Sequence, residues 1–372
     1  MRIKRIGLPF KIKKPILALG SQGKNTVCFA YHNFAYISPV HENLSNPDDF
    51  LRFKKIVKFF TKKNPKVIAY DLHPEYQSSR YALSLPATFN RVAVQHHHAH
   101  IASVMADNQL QNKKVIGVVF DGTGLGSDNR IWGAEFLLCN YKNFQRRAHL
   151  REIPLLGGER AILEPWRLSA AWLYQIYRDA FLNFKIDAIK IIDKNKWKVL
   201  KKMYLSGFNS PFASSMGRLF DAVAYLVLKK EKIDFEAQLA IELEKCACVY
   251  RSNESLGYNF RISKNKDAYI IDPLPIFEEI IGDLKAKAPK EKIAYRFHLT
   301  VAQMTRRMCL ILRREHNLKE AVLSGGVFQN NLLLTLVLDL LYKDGFSVSK
   351  HQKLSCNDSG ISLGQAVIAN FK

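Results

Sequence analysis

The segment Gln95–His100 reads QHHHAH and places four of the chain's eleven histidines within five positions. It runs on into the apolar IASVMA. A helix through both puts His96 and His100 one turn apart on one face. Two imidazoles at that spacing chelate a divalent metal, and carboxylates complete such a set. Asp121 closes the strand-like run VIGVVF, and Asp358 stands just ahead of the last helical segment. These are the expected third and fourth ligands. His97 or His98, aimed elsewhere on the helix, is then free to bind substrate, orient a ligand or act as a general base. The competing reading is an exposed, histidine-rich helix start, and Asp358 in NDSG is also good N-cap sequence.

Three further stretches carry chemistry. DGTGLGSD (121–128) follows an apolar strand, and its glycines let backbone N–H groups of Gly122, Thr123 and Gly124 approach a phosphate as an anion nest. An ordinary hairpin turn explains it equally well. SGGVFQNN (324–331) gives strand, Ser324-Gly325-Gly326, then helix, where a helix N-terminus receives phosphate and Asn330 is placed to bond a base. Tight strand–helix packing is the alternative. SSMGRLFDAVAYLV sets Gly217 and Asp221 four apart at a helix start, so the carboxylate is placed to accept from ribose hydroxyls. An acid in the first turns of a helix, favoured by the dipole, is the bland account and the preferred one for this stretch alone. Glu236 and Gln238 in FEAQLAIELE read either as cleft-facing or as a solvated helix face, and the solvated face is preferred. No G-x-S-x-G elbow occurs, and no cysteine has the context of a nucleophile.

Positioning these groups takes a scaffold of strands and helices. PILALG, SQGKN and TVCFAY read as strand, turn, strand, and FAYISP adds a third. Residues 48–63 form a basic amphipathic helix, VIAYD a strand ending on Asp71, and RVAVQ a strand before the histidine helix. LHPEYQSSRYALSLPA is a connecting stretch. VIGVVF and IWGAEFLLC make a hairpin. From GGERAILEPWRLSAAW, with Pro165 opening a helix, to about residue 320 the pattern is mainly helical. AVLSGG, FSVSKHQKL and the helix from ISLGQAVIAN close the chain. No short-period repeat is visible. The expected division is an N-terminal α/β lobe over 1–155, holding the histidine helix, and a C-terminal α/β lobe over 156–372, holding a helical insertion and the SGG loop.

The chain has 372 residues, of which 48% are hydrophobic and 24% charged, ordinary for a globular protein of two packed lobes. No apolar run spans a membrane, and the basic N-terminus lacks the apolar core and cleavage site of a signal peptide, so a cytoplasmic place is expected. The six cysteines show one C-x-C and no C-x-x-C, which excludes a structural zinc module and fits reduced thiols. A net charge of +23 invites an acidic partner or nucleic acid. Lysines spread along the whole chain also suit growth at high temperature. No stripe of arginines with interleaved aromatics supports nucleic-acid binding.

As an ordered set, LALGSQGKNT, VQHHHAHIASVMAD, FDGTGLGSDNRIWGAEFL, SSMGRLFDAVA, EAQLAIELE, LSGGVFQNN and NDSGISLGQA resemble the C-terminal domain of the HypF family of [NiFe]-hydrogenase maturation. The resemblance runs from about residue 15 to the end. It extends to antibiotic O-carbamoyltransferases and, more distantly, to tRNA threonylcarbamoyl transferases. It implies two ribonuclease-H-like lobes of the actin, sugar-kinase and heat-shock ATPase type around a nucleotide cleft. It implies an iron or zinc site of His96, His100, Asp121 and Asp358. The nucleotide, an ATP-derived carbamoyl-adenylate, would lie along Gly122–Gly124 and Ser324–Gly326, with Gly217 and Asp221 on the ribose and Asn330 on the adenine. The implied activity is carbamoyl transfer to the C-terminal cysteine of a HypE-like acceptor protein, with His97 or His98 assisting. Full-length members carry acylphosphatase-like, zinc and YrdC-like adenylating domains ahead of this one. The expectation is therefore a stand-alone domain supplied with adenylate by a separate YrdC-like protein. The alternatives are a tRNA-modifying transferase, a small-molecule O-carbamoyltransferase and an idle nucleotide-binding scaffold.

Overall fold

The computed structural model describes residues 3–250 and 256–372. Two sheets organise it. The first has the order Lys4–Gly7, Phe34–Ile37, Cys28–Tyr31, Ile16–Ala18, Val67–Asp71, Asn90–Val94. The second runs Arg261–Asn265, Ala268–Asp272, Phe144–Leu150, Ile131–Cys139, Val115–Leu125, Glu320–Ser324, Ser347–Ser349. Numbering the five central strands of each sheet in chain order, both read 3-2-1-4-5. Strands 1, 2 and 3 pair antiparallel, and 1, 4 and 5 pair parallel. The repeat that no sequence period reveals is therefore present as topology: two ribonuclease-H-like lobes.

Both faces of the first sheet are covered, which is why its strands are apolar on both sides. Leu17, Phe29 and Ile68 pack on the helix Pro47–Thr61 through Phe53, Ile56, Val57 and Phe60. That helix starts where the Asn46 side chain accepts from the N–H groups of Asp48 and Asp49. On the other face, Ile16, Ala18, Cys28 and Ala69 meet the terminal helix Ile361–Phe371.

The two lobes exchange helices. The histidine helix His96–Asp107 follows the last strand of the first sheet but packs on Val115–Leu125 and Glu320–Ser324 of the second. The terminal helix follows the last strand of the second sheet and packs on the first. The two helices lie against each other, so closely that a β-carbon on Gly364 would stand 1.9 Å from the Ala99 carbonyl oxygen. Every residue of the histidine helix is buried, as expected of a helix covered all round.

Three expectations need correction. The division near residue 155 falls inside the second lobe, because strands from 115 to 150 belong to the same sheet as Glu320–Ser324. The chain passes between sheets after Asp107, and the terminal helix returns to the first. The Gly-rich stretch from Asp121 is not a turn: the strand continues to Leu125, and the reversal is made by Gly126–Arg130. The supposed connecting stretch holds a helix, Gln77–Ser84. The helical insertion is real and lies between strands 3 and 4 of the second sheet. It includes Trp166–Tyr177, Met216–Leu228, Gln238–Cys248 and Lys290–His316. Among the described residues no helix is long and apolar enough to cross a membrane.

Candidate active site

His96, His100, Asp121 and Asp358 converge, their ligand atoms all within 4.8 Å of one another. His96 Nε2 lies 3.4 Å from Asp121 Oδ2 and 3.6 Å from Asp358 Oδ1. The corresponding His100 distances are 3.5 and 3.6 Å. Four atoms bound to one ion at about 2.1 Å in a tetrahedron stand about 3.4 Å apart, close to the four histidine–aspartate separations here. Both Nε2 atoms are buried and make no hydrogen bond. Two imidazoles and two carboxylates suit iron or zinc.

The opposite edge of each ring is held. His96 Nδ1 donates to Asp71 Oδ2 at 2.8 Å, and Asp71 Oδ1 accepts from the His73 N–H at 2.9 Å. His100 Nδ1 meets Ser324 Oγ at 3.1 Å. Asp71 and Ser324 are the last residues of strand 4 in their respective lobes. Each lobe thus supplies one orienting residue from the equivalent position. Such partners fix ring orientation and set ligand basicity. Burial alone would lower both imidazoles, but Asp358, Asp71 and Asp121 raise His96, and Asp121 and Asp358 raise His100. Burial would likewise raise Asp121 and Asp358, yet the facing imidazoles hold both below the usual carboxylate range. A cation entering this set replaces protons on the histidines.

The metal set forms part of the wall of a cavity of about 560 Å³, to which Asp121 and Asp358 contribute directly. Gly122, Thr123, Gly217, Asp221, Gly326 and Asn330 also line it. Asp221 is fully buried, and burial, opposed by Arg218, pushes its carboxyl up to about 6. Asn330 is at the same time the N-cap of the helix Asn331–Lys343, its Oδ1 accepting from the Leu333 N–H. Its Nδ2 lies 2.9 Å from His298 Nε2.

Other expected residues serve as supports. Ser324 holds His100. Gly325, at φ +102°, sits where a β-carbon would strike the Phe120 carbonyl. Gly124 lies beneath the histidine helix, where a β-carbon would come within 2.6 Å of His97 Cε1. Both glycines serve close packing, which for Gly325 is the alternative the sequence had left open and for Gly124 is neither of the two readings offered.

The base role expected of His97 or His98 does not fit the geometry. Neither lines the cavity. His98 Nε2 meets the Asn140 carbonyl at 2.6 Å, and its ring packs on Phe144. For His97, the Gln95 amide decides. Its Oε1 accepts from the His98 N–H and its Nε2 donates to the Leu125 carbonyl, so Nε2 also donates to His97 Nδ1. The remaining nitrogen of His97 then carries the proton, and burial pushes the imidazole down to about 3.

Of two further lining groups, Arg218 had no role in the sequence reading, and Glu236 was read chiefly as solvated. Arg218 is buried and reaches Asp221 at 3.1 Å through Nε and Glu236 at 3.1 Å through Nη2. The available signal was an arginine and an aspartate three apart in an otherwise apolar helix. Glu236 precedes its helix and faces the cavity rather than solvent alone.

Two lobes of this topology, with a nucleotide-sized cavity between them and a buried histidine–aspartate set in its wall, define a member of the actin, sugar-kinase and heat-shock ATPase class of folds. Comparisons make the assignment specific. The family model described as "HypF Kae1-like domain" matches residues 11–107, and that described as "Carbamoyltransferase, Kae1-like Domain, second subdomain" matches 117–365. The carbamoyltransferase HypF of Synechocystis sp. is 34% identical, over 97% of this chain and 48% of that protein. The "Carbamoyltransferase HypF homolog" of Cupriavidus necator is 32% identical, over 95% of this chain and 91% of that protein. A crystal structure of full-length HypF in its phosphate- and nucleotide-bound form superposes with a TM-score of 0.92 at 38% identity, over 98% of this chain and 47% of that one. The chain belongs to the HypF carbamoyltransferase family. It spans about half the length of the Synechocystis protein, whereas it covers nearly all of the Cupriavidus homolog.

Proposed function

We propose that this chain transfers a carbamoyl group from carbamoyl-adenylate to the C-terminal cysteine of a HypE-like acceptor in hydrogenase maturation. The adenylate is supplied by a separate YrdC-like protein. The observation that carries this reading is that Asp121 and Asp358 are at once members of the metal set and lining residues of the cavity. A nucleotide in that cavity therefore brings its phosphate-linked group beside the metal.

His96, His100, Asp121 and Asp358 would hold the ion. An iron or zinc ion there supplies a Lewis acid for the carbamoyl carbonyl. Asp221 accepts from ribose hydroxyls, and Gly217 lets the helix that carries Asp221 approach the backbone of Gly122. In the reaction, the acceptor thiolate attacks the carbamoyl carbon. A carbon–sulfur bond forms, the carbon–oxygen bond of the mixed anhydride breaks, and its electron pair leaves on the phosphate of AMP. The thiol loses its proton to solvent, since His97 and His98 do not reach the cavity. The acceptor must be a reduced thiol, which fits the cytoplasm.

The test combines the chain, a YrdC-like protein, carbamoyl phosphate, ATP and a HypE-like acceptor, with products read by intact mass. The expected result is a carbamoyl-sized gain on the acceptor that depends on this chain and disappears in His100→Ala. No gain despite demonstrable adenylate would overturn the acceptor assignment and turn the search to tRNA and hydroxylated small molecules.

A further inference from the structure

The cavity is acidic although the protein is strongly basic. Asp121, Asp221, Glu236, Glu244 and Asp358 line it, against only Lys24 and Arg218 among the described residues. An adenylate carries a phosphate anion, which such a wall repels unless cations meet it, and an ion held by His96, His100, Asp121 and Asp358 would offset only the two aspartates that bind it. Arg218 is committed to Asp221 and Glu236. Lys24 is not comparably committed. Among the described residues it pairs with Glu42 alone, and both side chains are more than half exposed, so the pair is weak and readily exchanged.

Lys24 is also held in a particular way. It occupies the short strand Gly23–Asn25 at φ +45°, a left-handed conformation that a β-carbon disfavours. The neighbouring residues enforce it. Buried Asn25 donates to the carbonyls of Leu19 and Ser21. The Thr26 hydroxyl bonds the Ser359 carbonyl and the Ser362 hydroxyl. The chain that carries Lys24 is thereby tied to the segment that carries Asp358, so the Lys24 backbone is held in register with the metal set while its side chain stays free to turn to the cavity.

We propose that the Lys24 ammonium receives the phosphate of the bound adenylate and carries its second negative charge as the carbamoyl–oxygen bond breaks. This role rests on the adenylate reading above. It makes Lys24 a catalytic residue, because it touches the leaving group.

The test measures AMP and adenosine binding by calorimetry to the wild-type chain, Lys24→Met and Lys24→Gly. Wild type is expected to prefer AMP by roughly 10- to 100-fold, the value of a charge-assisted contact. Both variants should lose that preference while binding adenosine as before. Lys24→Gly carries a further signature, since glycine accepts φ +45° freely: it should melt no lower than wild type and still lose the preference. An AMP preference retained in both variants would overturn the proposal. Wild type binding neither ligand would overturn the adenylate reading, and this role with it.

Discussion

Replacing Asp71 with Asn tests whether the metal set is tuned from behind. Asp71 is fully buried and uses both oxygens: Oδ2 takes the His96 Nδ1–H at 2.8 Å and Oδ1 the His73 N–H at 2.9 Å. An amide has the same shape but only one acceptor. One of the two donors must then face an NH₂ group, and His96 loses the charge that raises its basicity as a ligand. Loss of such a partner typically costs about 10- to 100-fold in metal affinity, or about 1.4 to 2.8 kcal/mol. Ser324 gives the internal comparison. It holds His100 from the equivalent strand position, but with a neutral hydroxyl at 3.1 Å, and charge-assisted bonds are roughly twice as strong as neutral ones. Ser324→Ala should therefore weaken binding less than Asp71→Asn does. The assay is zinc titration against a chromophoric chelator, with circular dichroism to confirm that both variants are folded. Unchanged zinc affinity in Asp71→Asn, or a larger loss in Ser324→Ala, would refute the reasoning.

Other outcomes follow from the same contacts. Gly364→Ala drives a β-carbon into the Ala99 carbonyl at the crossing of the exchanged helices, where neither backbone yields easily. It should cost about 3 kcal/mol, the upper end for overpacking, in a urea melt. Asp107 accepts from the N–H groups of Gln352, Lys353 and Leu354. Burial raises its carboxyl, but these bonds and His351 hold it down at about 2. Its contribution, about 2 kcal/mol, is complete above the ordinary aspartate value and disappears as pH falls from about 4 through about 2. Asp107→Asn should flatten that part of the stability–pH curve. Asp221, held up at about 6 by burial, accepts from ribose best when ionised. Adenosine, which has no titrating phosphate, should therefore bind more tightly as pH rises through about 6, and Asp221→Asn should remove the dependence.

The metal site was legible because its chemistry is local. A helical spacing fixes His96 against His100, and carboxylates at a strand and a helix start are few. The apolar central strands of both sheets could also be read, from runs bounded by turns, whereas the more polar strands Lys4–Gly7, Phe144–Leu150, Arg261–Asn265 and Ala268–Asp272 were not. What escaped was whatever depends on a distant partner. Glycines at 122–126 read as a turn because nothing local says that two histidines lie against Gly124. The exchange of helices left no trace, since the helix His96–Asp107 is apolar enough to be covered by either sheet. Asp71 looked like an ordinary strand end, and its role appears only once His96 is placed beside it. Arg218 drew no reading and Glu236 read chiefly as a solvated group, because a buried ion pair cannot be told from two solvated charges along one chain.

The duplication of the lobes accounts for the architecture of the site. In each lobe the chain leaves strand 5 and starts a helix that crosses to the other lobe. His96 opens the first of these helices, and Asp358 immediately precedes the second. Strand 4 of each lobe ends on the residue that orients one histidine. The remaining ligand, Asp121, lies in strand 1 of the second lobe. Three of the four ligands are therefore drawn from the two crossing points and the fourth from a strand of the second sheet, so an ion bound there would fasten the two lobes together at the cavity wall. Two helices also begin at the site, so their partial positive charges favour the aspartates and the phosphate that the cavity is proposed to receive. It follows that metal should stabilise the whole chain rather than one lobe, by RT ln(1 + [metal]/Kd). Thermal unfolding followed by Trp132 in the second sheet and by hydrogen exchange in Val67–Asp71 of the first should shift together on adding zinc. A shift confined to one lobe would show that the exchanged helices do not couple the two.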